Sequence, residues 1–226
     1  LDQLTILLPE SYIDFGFIKE SLQPFENQLK LEYITEKCVS IIPKLILPKN
    51  KPICHFYNPQ ILREIREFYW LQERKFGESE EKKESPKRIY ITRKNASRRR
   101  FINEVAVQST LESQGFVTLD FENISFWEQI RLMENAEMLV SVHGGALTNI
   151  HFLPSSAKVL ELIREIEQPS DHHSLVYWHM CSALDIDYYY QFCSAQDAKS
   201  SFYEGDLEVD ISLLQQNIEK MASGNV

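Results

Sequence analysis

The sequence predicts an α/β protein in which a largely parallel sheet carries helices on both faces. Three observations predict it. First, the second half holds continuous apolar runs of strand length, among them "MLVSV" (Met138 to Val142) and "KVLELI" (Lys158 to Ile163), the signature of strands buried on both sides. Second, segments of helical period stand between those runs, and such alternation makes neighbouring strands parallel. Third, several of the helical segments carry their own start and stop signals. A chain of 226 residues, 43% of them hydrophobic, can bury a core and suits one large domain or two small ones.

The elements follow in order. "LTILLP" (Leu4 to Pro9) is a short buried-type strand, and "FIKESLQPF" is a short helix interrupted by Pro24. "LKLEYI" (Leu29 to Ile34) and "PKLILP" (Pro43 to Pro48) are further strand candidates. Asn58 and Pro59 supply a helix cap and a first-turn proline. Ile61, Ile65 and Phe68 continue at helical spacing, to about Lys75. "GESEEKKESPK" (Gly77 to Lys87) lacks any large apolar residue and is the best linker candidate.

Beyond the linker the pattern is regular. "RIYIT" (Arg88 to Thr92) is a strand, and "FINEVAVQSTLESQG" is a helix stopped by Gly115. "FVTLDF" (Phe116 to Phe121) is a strand. Ser125 and Glu128 form a capping box that opens a helix with Phe126, Ile130 and Met133 on one face. Strand Met138–Val142 runs into "HGGALTNIHFL", whose latter part reads as a helix. After strand Lys158–Ile163 come a helix over about 175–184, a strand "IDYYYQF", and a last helix carrying Leu214, Ile218 and Met221.

Composition narrows the function. The formal net charge is −9, which weighs against a general nucleic-acid binder with a basic face. An anionic ligand must be held by a local cluster of cations. Cys38, Cys54, Cys181 and Cys193 show no metal-binding or redox spacing, so they read as reduced thiols, with one Cys181–Cys193 disulfide left open. No run approaches the ~18 apolar residues of a membrane span. The N-x-S triplets at Asn95 and Asn123 carry meaning only in a secreted protein. The chain opens on Leu1 and runs quickly into its first strand, so further residues are expected upstream. Low glycine content, many Lys and Glu residues and no visible signal peptide lead to the expectation of a bacterial cytoplasmic protein. A lumenal ER or Golgi origin stays open if the chain is part of a longer one.

Chemistry is expected beyond the carboxyl ends of the strands, where parallel α/β sheets bind ligands. Two strand ends carry unusual residues. Between Arg88 and Arg100 stand five arginines and one lysine, in an acidic protein. Arg98, Arg99 and Arg100 fall at the start of the predicted helix, where the macrodipole disfavours cations, and a bound phosphate would resolve that conflict. The alternative is a solvated basic loop answering the acidic linker. The other strand end is His143 followed by Gly144 and Gly145, which permit a sharp turn and close backbone approach. Ala146 to Asn149 would then offer first-turn N–H groups. Here the alternatives are a plain turn and a structural histidine. Glu161, inside "VLELI", must be paired if it is ionised; it would bond a ligand hydroxyl or a neighbouring arginine. His172 and His173 read as an exposed helix start, "DID" (Asp185 to Asp187) as the start of a strand, and the eight-residue separation of His143 and His151 makes no metal site.

"YITRKNASRRRFINE", "FVTLDFENISFWEQIRLMENAEMLVSVHGGALTNIHFLP" and "VLELI", taken in that order, resemble glycosyltransferase family 61, whose signature region was long called a domain of unknown function. The resemblance covers about 88–163 and more weakly the rest. Family members include plant xylan pentosyltransferases, endoplasmic-reticulum O-linked N-acetylglucosaminyltransferases and bacterial capsular polysaccharide biosynthesis proteins. The common loop reads His-Gly-Ala-Gly-Leu-Thr-Asn, whereas here Gly145 and Ala146 are exchanged. The resemblance implies a GT-B architecture of two Rossmann-like domains facing across a cleft. Residues 1–76 would be a partial acceptor-side domain, 77–87 a charged linker, and 88–226 the nucleotide-sugar-binding domain.

The implied reaction is inverting transfer from a UDP-sugar to a hydroxyl of a glycan, polysaccharide or protein acceptor, with no metal and no cofactor beyond the UDP-sugar co-substrate. Arg93 with one of the Arg98–Arg100 group would grip the diphosphate. His143 and the backbone of Gly144, Gly145, Ala146, Leu147 and Thr148 would add contacts, Asn149 would hold the loop, and Asn103 belongs to the same motif. Glu161 would reach the ribose, and His143 and Glu104 are the available bases. The competing reading is a degenerate module that binds a nucleotide sugar and transfers nothing. A phosphate-binding enzyme of another class rests on the arginines alone.

Overall fold

The computed structural model describes residues 4–35, 37, 39, 41–44, 46, 57–77, 84–166, 173–197, 200 and 204–224. Of the strand candidate at 43–48, Pro43, Lys44 and Ile46 are described and none of them is in a strand, while Cys38, Cys54, His172 and most of the linker lie outside the described residues.

Two sheets form. The smaller is a β-α-β unit: β1 (Leu4–Pro9) and β2 (Leu29–Ile34) pair in parallel, from Leu4 opposite Leu29 to Pro9 opposite Ile34, with helix α1 (Gly16–Leu22) between them in sequence. The larger sheet has six strands, and its elements follow in chain order. They are β3 (Arg88–Ile91), α3 (Glu104–Ser113), β4 (Val117–Leu119), α4 (Phe126–Glu134), β5 (Met138–Val142), β6 (Lys158–Arg164), α5 (Val176–Ala183), β7 (Asp187–Ala195), β8 (Leu207–Glu208) and α6 (Ile211–Ser223). The spatial order is β4-β3-β5-β6-β7-β8. Every pair is parallel except β7 with β8.

The side-chain period of two divides each buried strand between two cores. Ile89, Ile91, Leu139 and Val159 face a core built with Leu62, Trp127, Ile130, Met133, Leu147 and Ile150. Tyr90, Met138, Val140, Val142, Leu160 and Leu162 face the other, closed by α3 and α6 through Val107, Leu111, Leu214, Ile218 and Met221. Burying both faces of a strand leaves its backbone to be satisfied within the sheet, and the parallel ladders supply those bonds.

Local chemistry sets the boundaries. Helix α2 (Pro59–Phe76) begins where the Asn58 side chain accepts from Gln60 N at 2.9 Å and Ile61 N at 3.3 Å. Ser125 Oγ accepts from Glu128 N, and Asp210 Oδ1 from Leu213 N. Gly115 (φ 81) and Gly224 (φ 67) take the left-handed conformation that ends α3 and α6.

Three elements differ from the sequence reading. The strand at 116–121 shortens to Val117–Leu119, because Asp120 caps a short 3-10 turn. Helix α3 starts at Glu104, so Arg98 to Arg100 lie in the preceding loop and a carboxylate, which the dipole favours, takes the first turn. The segment after Gly144 is a 3-10 helix, Gly145–Phe152.

Helix α2 precedes the linker in sequence but packs on the six-stranded sheet. Its buried Arg66 donates to Leu153 O at 2.9 Å, and Trp70 Nε1 donates to Phe152 O at 3.0 Å. The first unit sits on this layer: Glu20 accepts from Phe126 N at 2.6 Å, and Tyr69 donates to Ser21 O. Cys181 and Cys193 are both buried free thiols, and burial pushes the Cys193 thiol up to about 12. Among the described residues no helix is long and apolar enough to cross a membrane.

Leu139 is fully buried at the centre of β5. Leu139→Ala should lower unfolding free energy by about 2–5 kcal/mol, seen in urea titration as a lower midpoint at unchanged slope.

Candidate functional site

The larger sheet places a topological switch point between β3 and β5. From β3 the chain crosses to β4 on one side, and from β5 it crosses to β6 on the other. In doubly wound sheets the crevice beyond the carboxyl ends at such a point is the binding position. Here those ends are Arg93 and the His143-Gly144 pair, brought side by side by the register Ile91 opposite Ser141. Ser141 Oγ donates to Ile91 O across the same step.

The loop Arg93–Asn103 folds back over this crevice. Arg99 has φ 56, a left-handed conformation uncommon for a residue other than glycine. It is held by its neighbour Arg100, whose N–H and guanidinium both bind Asp206, at 2.9 and 2.8 Å. Arg98 turns outward to an exposed pair with Glu204 at 3.2 Å. Arg99 turns inward, and its Nη1 donates to His143 O at 2.6 Å.

Two guanidinium groups therefore converge on Gly144. A Cβ at that position would lie 3.2 Å from Arg93 Nη1 and 3.5 Å from both terminal nitrogens of Arg99. The glycine's backbone is extended, with φ 165 and ψ 177, so close approach and not a sharp turn is what requires it. Nothing lies within 4 Å of a Cβ at Gly145, which faces open space. Among the described residues neither Arg93 nor Arg99 is in an ion pair, and the Nε of each is buried without a hydrogen bond. Burial, then the charges of Arg93 and Arg98, lower the Arg99 pKa. Two cations pressed together without a carboxylate form a site that an anion would stabilise.

The remaining loop residues divide between packing and polar roles. Leu147 is fully buried in the core and Ala146 packs against it, so these two can offer only backbone to the crevice. The 3-10 pattern leaves the first N–H groups of the helix outside its own hydrogen bonds. Gly144 O accepts from Tyr177 OH at 2.6 Å and from Leu147 N at 2.9 Å. Asn149 donates to Gln129 Oε1 at 3.0 Å and Ala146 O at 3.2 Å, tying the loop to α4. A cleft of 1110 Å³ opens here, and Arg93, Thr148, Asn149, Phe15, Phe17 and Tyr69 are among the residues that line it.

Other sequence candidates stand apart. Asn103 is locked to the β8–α6 connection: it donates to Val209 O at 2.8 Å and accepts from Val209 N at 3.1 Å. Glu104 accepts from Tyr90 OH at 2.9 Å and from the Thr92 hydroxyl. Burial and that carboxylate raise the Tyr90 pKa, so the phenol remains a donor and Glu104 fastens α3 to β3. Glu161 is 1% exposed. Its Oε1 meets His143 Nδ1 and its Oε2 accepts from Tyr188 OH, an inward arrangement that directs both oxygens at protein donors. Asp185 of the "DID" stretch pairs with Arg63 at 2.6 Å.

Tyr177, Tyr188 and Gln129 were not singled out in the sequence. Gln129 stands in "SFWEQ" (Ser125 to Gln129), and the buried glutamate signalled a need for donors. Which neighbour supplies them depends on strand register, which no local pattern contains.

A family model described as Glycosyltransferase 61 matches residues 5–160. Protein O-linked-mannose beta-1,4-N-acetylglucosaminyltransferase 2 from Homo sapiens is 36% identical over 72 residues, 32% of this chain and 12% of that one. The Canis lupus familiaris protein of the same name is 45% identical over 58 residues, 26% of this chain and 10% of that one. EGF domain-specific O-linked N-acetylglucosamine transferase from Canis lupus familiaris is 34% identical over 70 residues, 31% of this chain and 13% of that one. The chain thus spans about an eighth of the length of the curated relatives it matches. A diflavin flavoprotein from Nostoc sp. superposes with a TM-score of 0.39 at 12% identity over 64% of this chain and 100% of that one, too weak a likeness to bear on the site.

Gly144→Ala separates the site from the scaffold. Its Cβ meets only movable guanidinium ends, so the melting temperature should hold while affinity for inorganic pyrophosphate falls roughly tenfold, the worth of one charge-assisted hydrogen bond. Asn103→Ala should do the reverse in the same calorimetric and melting measurements, losing about 1–3 kcal/mol of stability at unchanged affinity.

Proposed function

The chain belongs to glycosyltransferase family 61, and on that premise we propose that it binds a UDP-sugar at the β3/β5 crevice and transfers the sugar, with inversion and without a metal, to an acceptor hydroxyl. The observation that carries this reading is the pair of unpaired guanidiniums, Arg93 and Arg99, closing on Gly144 at the switch point.

In the transfer, the acceptor oxygen attacks the anomeric carbon and the bond from that carbon to the β-phosphate oxygen breaks. The acceptor proton goes to a base, and UDP leaves carrying the bond's electron pair. Charge therefore grows on the diphosphate, where fixed donors are most effective. Arg93 and Arg99 would meet it, and the N–H groups of Gly145 and Ala146 would add donors. Arg98, already paired with Glu204 at the surface, adds long-range positive potential at most. His143 stands at the end of β5 as a donor-site contact. Asn149 holds the loop through Gln129.

The β1-α1-β2 unit supports a GT-B reading, in which Phe15 and Phe17, which line the same cleft, would belong to the acceptor side. The relatives' names speak of N-acetylglucosamine transfer, which makes a UDP-linked N-acetylhexosamine the first donor to test. The acceptor would be a glycan, polysaccharide or protein hydroxyl. Buried free thiols favour a reducing compartment, the bacterial cytoplasm for instance.

Binding without transfer is favoured by one observation. The oxygens of Glu104 are already bonded to Tyr90 and Thr92, which makes it a poor base. A UDP titration that responds while transfer and hydrolysis assays stay silent would select this second reading.

Calorimetric titration with UDP tests the site. Arg93→Ala and Arg99→Ala should each weaken binding by roughly 1.5–3 kcal/mol, and a chelator or added manganese should leave the affinity of the parent unchanged. Parent-like affinity in both variants would move the donor elsewhere.

A further inference from the structure

Glu161 lies in β6, where Leu160 and Leu162 on either side of it are fully buried in one core and Glu161 itself, 1% exposed, faces the other. An ionised carboxylate in such a place is costly unless both oxygens are satisfied. Two donors meet it from the two flanking strands. His143, at the end of β5, approaches Oε1 through Nδ1, and Tyr188, in β7, donates to Oε2. Among the described residues no arginine or lysine takes part, and the carboxylate is directed at the histidine.

We propose that Glu161, supported by Tyr188, is a positioning residue for His143: it keeps the ring proton on Nδ1 and so assigns Nε2 to whatever the donor site presents. This rests on the reading of His143 as a donor-site contact. The opposite tautomer would set the Nδ1 lone pair against a carboxylate oxygen, which is repulsive. Tyr188 cannot reverse the order, because burial and the Glu161 charge raise its pKa and keep it a donor. Two further contacts hold His143, one on its ring and one on its backbone. Tyr177 packs edge-on against it at 5.3 Å between centroids, and His143 N donates to Leu162 O at 2.9 Å. Orientation of an imidazole by a carboxylate on its far nitrogen is a recurring means of fixing its tautomer. It also explains a buried charge in a strand where a leucine would pack.

Nitrogen-15 spectra of the imidazoles at near-neutral pH test this without UDP, with His143→Gln assigning the signal. The parent should carry the His143 proton on Nδ1, shifted downfield. Glu161→Gln has one acceptor oxygen for two donors, so that proton should lose its downfield shift and the ring should become a mixture of tautomers. Tyr188→Phe leaves the carboxylate a single donor, and the signal should move further downfield. Opposite movements in the two variants are not what general loosening of the fold produces. A parent with its proton on Nε2, or Glu161→Gln with the parent tautomer, overturns the proposal. Should Glu161→Gln fail to fold, the absence of a downfield move in Tyr188→Phe overturns it. UDP affinity of folded Glu161→Gln should fall about tenfold, and an unchanged affinity would sink the link to the donor. A parent that does not bind UDP at all would overturn the donor-site reading, while the spectra still decide the positioning.

Discussion

The parallel pairing of β3 with β5 is the constraint on which the rest depends. Residues about fifty apart in sequence are held in register from Arg88 opposite Met138 to Ile91 opposite Ser141. Because both strands run the same way, both end at the same edge of the sheet. Arg93 and the His143-Gly144 pair thereby become neighbours, and the chain then leaves in opposite directions and opens a crevice between the departing segments. Had β5 been inserted antiparallel, the arginine and the glycine would sit at opposite edges. The hydrophobic faces of β3 and β5, divided between two cores, hold this pairing by burial that no single polar contact could replace.

Upon that frame the loop before α3 decides the electrostatics. Three consecutive arginines leave in three ways: Arg98 to Glu204, Arg100 to Asp206, and Arg99 inward to His143 O. The acidic partners at 204 and 206 neutralise two of the cations, and the third joins Arg93 with no counter-charge among the described residues. A chain of net charge −9 thus keeps a concentrated positive site by pairing off its neighbours. Gly144 matters for its missing Cβ, which the two guanidiniums would otherwise have to avoid. Gly145 carries no such constraint, and an alanine in its place would meet nothing. The exchange of small residues at 145 and 146 is consistent with that open space.

Much of the fold was legible in the sequence because the signals were local. Asn58, Ser125 and Gly115 act at the helix ends where their chemistry placed them. The continuous apolar runs became central strands, and alternation implied parallel pairing. The site was legible in part. Its strand ends were found by their odd composition, since an arginine cluster in an acidic chain and a doublet among 7 glycines stand out from any packing pattern. The roles within it were harder to read. Asn103 and Glu104 belong to the same motif as the arginines, yet their side chains bind Val209, Tyr90 and Thr92, partners that come from other segments of the chain.

By itself the sequence determined where most of the helices and strands lie, that the sheet is mainly parallel, and that unusual residues cluster after β3 and β5. Those properties follow from periodicity, caps and residue type over a few positions. Only the tertiary structure decided which arginine faces inward, why Gly144 must lack a side chain, that α2 belongs to the larger sheet's layer, and that Glu161 spends both oxygens on His143 and Tyr188. Each of these depends on strand order and register, where a shift of one residue turns a side chain to the opposite face. Such distances between remote segments are set by the packing of the whole core and are written in no local stretch of the chain.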